Sequence, residues 1–236
     1  CKANELRSNQ MFQKHRCLMS KTVSLTINKN LAEITMDDGK ANVLSHSMFE
    51  QLEKAFDAAE NEKKIVLLRG RDGLFSGGFD LKEISKGPKE AIALTTRGSQ
   101  FARRIIAFPT PVIGFSTGHC IAMGAFLMLA CDYRIGLEGE FKIGLNETLI
   151  GMTMHEFGIE LARYRIPLDY FNRSVINAEL YSPKAAVKAG FYDSIIKPES
   201  IEESLSSITQ HFESLNMGAF AGTKVKSRKN LFSLLD

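Results

Sequence analysis

The sequence carries little excess charge of either sign, and this narrows the classes of protein to which it can belong. Its 30 lysines and arginines stand against 27 aspartates and glutamates, a formal net charge of +3 in 236 residues. An excess this small does not predict a nucleic-acid-binding protein. Charges are mixed along the chain except in KVKSRK, at residues 224–229, whose pattern is typical of a solvated basic helix face.

Cysteine and histidine are also scarce, and neither is spaced as a metal site requires. The four cysteines form no CxxC pair, and the five histidines are scattered. Cys120 and Cys131 lie in apolar surroundings, where a reduced, buried thiol is the usual state. We therefore expect no structural zinc and a reducing compartment, cytoplasmic by default, with the mitochondrial matrix as the eukaryotic alternative.

Long uninterrupted apolar runs are missing too. Residues 111–131 are nearly uncharged and approach the length of a membrane helix. Glycine, serine, threonine and histidine interrupt them at residues 114–119, and the preceding VIGF is typical of a short buried strand. We expect no membrane span, the membrane helix being the weaker alternative. Residues 1–18 also lack the apolar core of a signal peptide.

What the sequence does contain is a regular alternation of strand and helix patterns. Apolar residues alternate along TVSLTI and LAEITM, which predicts a hairpin with one buried face. KIVLLRG, VIGF and YRIGL are predicted as strands. Ser47 and Glu50 have the spacing of a capping box, which predicts a helix running to about Asn61. Another helix is predicted over residues 89–108, where prolines then prevent its continuation.

These patterns predict an α/β protein in three segments. Residues 1–18 are predicted as an N-terminal extension, either disordered or left from cloning or processing. Residues 19–197 form the α/β core, and residues 198–236 a C-terminal helical region.

Two stretches share one design suited to chemistry on a carbonyl group. In FSGGFD, Gly77 and Gly78 allow a close backbone approach and leave the amide of Phe79 facing open space. In HCIAMGAF, residues 122–124 place the amide of Met123 at a helix N-terminus, and Gly124 follows it. Two such N–H groups directed at one point form an oxyanion hole. The alternative is a pair of tight strand-to-helix connections.

The order FSGGFDLKEI, STGHCIAMGAFLMLACDYRIG and FKIGLNETLIGM resembles the successive signatures of the crotonase, or enoyl-CoA hydratase/isomerase, superfamily. The resemblance covers about residues 23–197. It implies a spiral of repeated strand-strand-helix units, a C-terminal helical region that builds trimers or hexamers, and an acyl-CoA thioester as ligand. It also implies that the Phe79 and Met123 amides hold the thioester oxygen, without a metal or redox cofactor.

Two positions of the resemblance bear on the reaction. Hydratases of the superfamily carry one glutamate in the loop of GLNETLIG and one in the helix after the second turn. The loop position is Glu147 here, whereas the helix position is Phe126. GLNET is particularly similar to 3,2-enoyl-CoA isomerases. Isomerisation needs a single shuttle base, and apolar neighbours such as Phe126 would raise the pKa of Glu147. The alternative for Glu147 is an ordinary surface glutamate.

Other candidates surround these positions. His155 and Glu156 follow the loop and offer a second proton-transfer group, although a structural histidine is the more common case. The CoA-binding candidates are Lys40, Ala41, Ser76 and Gly77, with the basic segment 224–229 as a further one. Asp132 and Arg134 are expected to form charge pairs within the structure.

Three functional hypotheses follow from the sequence. The first is an enoyl-CoA isomerase that uses Glu147 alone. The second is an enoyl-CoA hydratase, or another crotonase-type acyl-CoA enzyme, in which His155, Glu156 or a water replaces the missing acid. The third is a CoA-binding protein that has lost catalysis.

Overall fold

Two β-sheets of unequal size form the framework of the protein. The structure is a computed structural model that describes residues 16–19 and 22–234. The larger sheet contains, in spatial order, β1 (Arg16–Met19), β2 (Val23–Ile27), β3 (Leu31–Met36), β4 (Ile65–Arg69), β6 (Val112–Ser116), β8 (Tyr133–Leu137) and β10 (Ser194–Ile196). The smaller sheet contains β5 (Gly73–Ser76), β7 (Gly118–Ile121) and β9 (Ile143–Gly144). The β1-β2 and β2-β3 pairs are antiparallel, and the other pairs are parallel.

Helices connect and cover these strands. Those that precede β10 are α1 (His46–Asn61), α2 (Leu81–Ile84), α3 (Pro88–Ala107), α4 (Met123–Ala130), α5 (Glu156–Arg165), α6 (Leu168–Val175) and α7 (Pro183–Lys188). The chain then ends in α8 (Ile201–Glu213), α9 (Met217–Ser227) and α10 (Lys229–Leu234).

A strand-strand-helix unit repeats three times along the chain. The units are β4-β5 with α3, β6-β7 with α4, and β8-β9 with α5. In each unit the first strand joins the larger sheet and the second joins the smaller one. This repetition winds the chain into a spiral, so the predicted α/β spiral with a helical C-terminal region is confirmed.

The strand β4 is apolar at successive positions because both of its faces are buried. Val66 and Leu68 face the main core, which α1, α3 and α4 also fill, while Ile65 and Leu67 belong to a second core under α8. A parallel strand covered on both faces needs apolar side chains on both. The hairpin behaves differently, since β2 alternates strictly between buried and half-buried residues, as predicted.

Two expectations about element ends are corrected. The first strand, β1, spans the predicted boundary at residue 18 and pairs with β2, whereas residues 1–15 lie outside the described residues. The helix α1 ends at Asn61 as predicted, but its N-cap is Ser45, whose side chain accepts a hydrogen bond from the Met48 amide. Ser47 lies inside the helix instead.

The apolar stretch at residues 111–131 is divided among three short elements. It forms β6, β7 and all of α4, whose eight residues are all buried. No helix in the described part of the chain is long and apolar enough to cross a membrane. Cys120 and Cys131 are buried free thiols, and burial raises the pKa of Cys131 to about 12.

Asp132 and Arg134 both form charge pairs, as predicted, and each finds its partner far along the chain. The Asp132 carboxylate accepts hydrogen bonds from Lys224 at 2.7 Å and Arg228 at 2.7 Å. Arg134 instead pairs with Asp193. Lys224 and Arg228 are buried, so the prediction of a solvated basic face for residues 224–229 is wrong at these two positions.

Candidate active site

The candidate site lies at one edge of the three-stranded sheet. Its strands are parallel, so the segments that follow β5, β7 and β9 leave the sheet on the same side. Phe79 follows β5, Met123 follows β7 and Glu147 follows β9. The sheet therefore brings together three residues that are distant in sequence.

The turns after β5 and β7 lie against each other. Gly78 adopts a positive φ of 98°, which favours glycine. A Cβ atom added to Gly78 would lie 2.8 Å from the Ala122 Cβ and 3.5 Å from the Met123 nitrogen. Ala122 itself has a φ of 52°, a conformation that L-residues rarely adopt. Strain of this kind is concentrated at functional sites.

Backbone hydrogen bonds set the direction of both amides. The Gly78 carbonyl accepts a hydrogen bond of 2.8 Å from the Leu44 amide, and the N–H of a trans peptide points opposite to its carbonyl. The Phe79 N–H therefore points away from Leu44. The Ala122 carbonyl accepts from the Phe126 amide within α4, so the Met123 N–H points out of the helix N-terminus.

Neither of these N–H groups finds an acceptor among the described residues. Two free donors on touching turns can together bind one oxygen that gains negative charge. That Phe79 and Met123 act in this way stays a prediction. Leu44, which orients Phe79, was missed by the sequence reasoning, since a hydrogen bond between distant backbone segments leaves no local pattern.

Glu147 lies in an apolar environment beside these donors. Its side chain is buried, and its Oε2 atom has no hydrogen-bond partner. Burial raises the pKa of Glu147 to about 7, against the opposing effect of the backbone N–H groups of Glu147 and Asn146. Its own carbonyl accepts from the Met152 amide at 2.8 Å, which fixes the loop around it.

A cavity of about 570 Å³ joins these features. Phe79, Phe126, Glu147 and His155 all line it. The remaining lining is mostly apolar and includes Val43, Leu81, Ile92, Ile150, Met152 and Met154. A cavity of this size and polarity suits a small apolar ligand with one polar group.

Phe126 forms part of the cavity wall. Its side chain is only 3% exposed. A Cβ atom on Gly158 would lie 2.8 Å from the Phe126 Cζ atom, so α5 admits the ring only because residue 158 is glycine. The ring and the Glu147 carboxyl line the same cavity, and an apolar wall disfavours the charged form of a carboxyl group.

His155 and Asp80 are two of the further polar residues that line the cavity. His155 is half-buried at the start of α5, its ring makes no hydrogen bond to another described residue, and burial lowers its pKa. The Asp80 carboxylate accepts a hydrogen bond from the Lys82 amide and caps α2. Glu156 is exposed and lies outside the cavity lining.

The predicted CoA-binding residues are placed unequally. Ala41 and Gly77 line the cavity. Lys40 is exposed on the same loop as Ala41, and its carbonyl accepts from the Arg71 guanidinium. Ser76 is fully buried and lies beneath the turn rather than in the cavity. Lys224 and Arg228 are bound to Asp132 and do not line the cavity.

Gly78 and Gly124, which were predicted as pocket residues, do not line the cavity. Each instead leaves room for a neighbouring segment to approach closely. A Cβ atom on Gly124 would lie 2.7 Å from the Ser76 Cβ, so glycine lets α4 approach β5 closely.

Among the described residues, no group of three or more histidine, cysteine, aspartate or glutamate side chains is arranged to hold a metal ion.

Comparison with known proteins identifies the family. The model of the enoyl-CoA hydratase/isomerase family matches residues 26–230. The chain belongs to this family.

A structure of an enoyl-CoA hydratase/isomerase family protein from Pseudomonas syringae superimposes with a TM-score of 0.89 at 43% identity, covering 91% of this chain and 94% of that one. Human mitochondrial delta3-delta2-enoyl-CoA isomerase superimposes with a TM-score of 0.85 at 26% identity, covering 91% and 86%.

A probable enoyl-CoA hydratase from Bacillus subtilis is 33% identical over 134 residues, which are 55% of this chain and 52% of that protein. The aligned part of the chain thus spans about half the length of this relative. Across the curated relatives, it spans between 24% and 66% of their length.

Proposed function

We propose that the protein is an enoyl-CoA isomerase that moves a double bond from the 3- to the 2-position of an acyl-CoA thioester. The observation that carries the proposal is a buried carboxyl group in the cavity with one oxygen that has no hydrogen-bond partner. Glu147 has an oxygen without a hydrogen-bond partner, whereas the Asp80 carboxylate is used to cap α2. Phe126 occupies the position of the second acid of a hydratase.

In the proposed reaction the thioester oxygen binds the N–H groups of Phe79 and Met123. The Glu147 carboxylate takes the proton from C2, and the electron pair of the C2–H bond delocalises toward the thioester oxygen as a dienolate. Glu147 then returns the proton to C4, while the double bond forms between C2 and C3. The proton leaves and returns through one group, so no second acid is needed.

Each amide donor in such a site is worth about 3 to 4 kcal/mol of transition-state stabilisation. Glu147 must be ionised to act as the base. With its pKa raised to about 7, the group is a stronger base than an exposed glutamate and is still ionised in part at neutral pH. The apolar cavity supports this role, because a desolvated carboxylate competes well for a weakly acidic proton.

Two further parts of the proposed function are the binding of the coenzyme A portion of the substrate and the assembly of the subunits. Lys40 and Ala41 lie beside the cavity on one loop, which supports binding of the coenzyme A portion there. Assembly into a homotrimer or a hexamer stays a prediction from the family resemblance, and light scattering of the purified protein tests it. No other cofactor enters the proposed reaction.

Hydration is the second candidate function, and His155 is the observation that favours it. Water addition needs a group that activates water and one that protonates C2. His155 lines the same cavity as Glu147, its ring is free of partners among the described residues, and its lowered pKa keeps it neutral at pH 7. Loss of catalysis with retention of CoA binding is the third candidate.

One preparation assayed for both reactions separates these candidates. We expect isomerisation of a 3-enoyl-CoA to exceed hydration of a 2-enoyl-CoA. We expect Glu147→Gln to lower isomerisation by about 10²- to 10⁴-fold, the range of general acid–base catalysis. Glu140→Gln, which removes an exposed carboxylate outside the cavity, is the matched control.

The other outcomes are equally distinct. Full isomerase activity in Glu147→Gln would refute the shuttle. Dominant hydration that is lost in His155→Asn would favour the hydratase, and tight acyl-CoA binding without either reaction would favour the non-catalytic protein.

A further inference from the structure

We propose that Ser76 is a positioning residue that holds the Phe79 N–H in its oxyanion-binding orientation. The inference rests on the proposed function only in taking the Phe79 amide as a thioester donor. Ser76 is the last residue of β5 and is fully buried. Its side chain does not reach the cavity, so it acts through the backbone of the turn rather than on the substrate.

The Ser76 hydroxyl connects the turn to a second loop. Its Oγ atom accepts a hydrogen bond of 3.1 Å from the Gly78 amide and donates one of 2.8 Å to the Asn42 carbonyl. The Gly78 carbonyl accepts from the Leu44 amide, as described above. Both polar groups of Gly78 are therefore tied to the segment that contains residues 42–44.

That segment is itself rigidly held. Asn42 is fully buried and has a φ of 46°, a left-handed conformation that asparagine tolerates better than most residues. Its side-chain amide donates to the carbonyls of Met36 and Phe75, and its Oδ1 accepts from the Asp38 amide. Asn42 thus offers Ser76 a fixed acceptor.

The orientation matters because Gly78 is a glycine that directly precedes the Phe79 amide. With no Cβ atom, its backbone has several accessible conformations, and rotation about its bonds would swing the following peptide that carries the Phe79 N–H. Removing the Ser76 hydroxyl leaves the Gly78 amide buried without its acceptor. The amide can then recover a partner only if the turn changes conformation.

The test compares serine-to-alanine substitutions at two buried serines. Ser76→Ala removes the hydroxyl beneath the turn. Ser174→Ala is the matched control. Ser174 lies in α6, outside the cavity, and is also fully buried. Its hydroxyl shares a 3.0 Å hydrogen bond with the Tyr181 hydroxyl. Both variants lose one hydroxyl, so a purely structural effect would lower the unfolding temperature in both without separating them in turnover.

Two measurements distinguish positioning from structure. We expect Ser76→Ala to lower kcat by about tenfold, less than the 10²- to 10³-fold loss on removing an oxyanion donor, with KM nearly unchanged. In difference Raman spectra of bound 2-enoyl-CoA, we expect the thioester C=O stretch to lie at lower frequency on the wild type than on Ser76→Ala. Ser174→Ala should match the wild type in both measurements.

Wild-type kcat and C=O frequency in Ser76→Ala would overturn the proposal, as would equal losses of kcat in the two variants. If Ser76→Ala does not fold, Ser76→Cys, which keeps a weak donor and acceptor, replaces it under the same criteria. A wild type that binds the thioester and polarises its carbonyl without isomerising it would refute the proposed function alone. A wild type that leaves the carbonyl unpolarised would refute the role of Ser76.

Discussion

Replacing Glu147 by glutamine removes a buried carboxyl group whose pKa burial raises from an ordinary 4.5 to about 7. The unfolded chain loses this proton near pH 4.5, whereas the folded protein keeps it until about pH 7. Between these values the folded state binds more protons than the unfolded state, so this group lowers the free energy of unfolding as pH rises. Glutamine does not titrate, and the variant escapes this loss.

The size of the effect follows from the shift in acidity. A tenfold change in the acidity constant is worth about 1.4 kcal/mol. From pH 5 to pH 8, the wild type should therefore lose about 2.5 kcal/mol of unfolding free energy relative to Glu147→Gln. Above pH 8 the difference should change little, because the carboxyl is then ionised in both states.

Urea unfolding of both proteins at several pH values measures this difference directly, and contributions from all other groups cancel. Glu140→Gln, at an exposed position, controls for the removal of one negative charge. A wild-type-minus-variant difference that stays flat from pH 5 to pH 8 would show that Glu147 is not the desolvated carboxyl described here.

Three further outcomes are expected. The kcat/KM for isomerisation should rise about tenfold per pH unit below pH 7 and level off above it, because Glu147 must be ionised to accept the proton; a profile flat from pH 5 to pH 8 would contradict this. Asp132→Asn should lower the unfolding free energy by about 3 to 5 kcal/mol in urea titrations, because two buried cations lose their partner; a loss below 1 kcal/mol would contradict it. Gly78→Ala should lower isomerase kcat at least tenfold, since its Cβ would clash with Ala122, whereas Gly73→Ala, also at positive φ but with open space around it, should retain turnover.

Much of the larger sheet could be predicted from the sequence, because its information is local. The alternation in the hairpin and the apolar run of β4 mark strands without knowledge of their partners. The smaller sheet could not be predicted in this way. Its strands are only two to four residues long, and each pairs with a strand from another repeat of the spiral. Pairing over such distances leaves no periodic pattern.

The same limit applies to the candidate site. The two glycine turns and Glu147 were recognisable as motifs, whereas Leu44 and Asn42, which hold the first turn, were not. The error about the basic segment 224–229 has a similar cause. Lys224 and Arg228 lie in a segment whose composition is typical of a surface, and only the docking of α9 brings them to Asp132.

This docking has a consequence for how the protein is made. Asp132 lies two residues after α4, the helix whose first residue carries the Met123 N–H, and its partners come 92 and 96 residues later. Contacts this distant in sequence form late in folding. During synthesis every residue of the candidate site leaves the ribosome before the two cations that neutralise Asp132. A nascent chain stopped short of residue 224 therefore contains the whole site but lacks both cations that pair with Asp132. We expect a chain that contains the whole site to become active only after its C-terminal helices have been made and have docked.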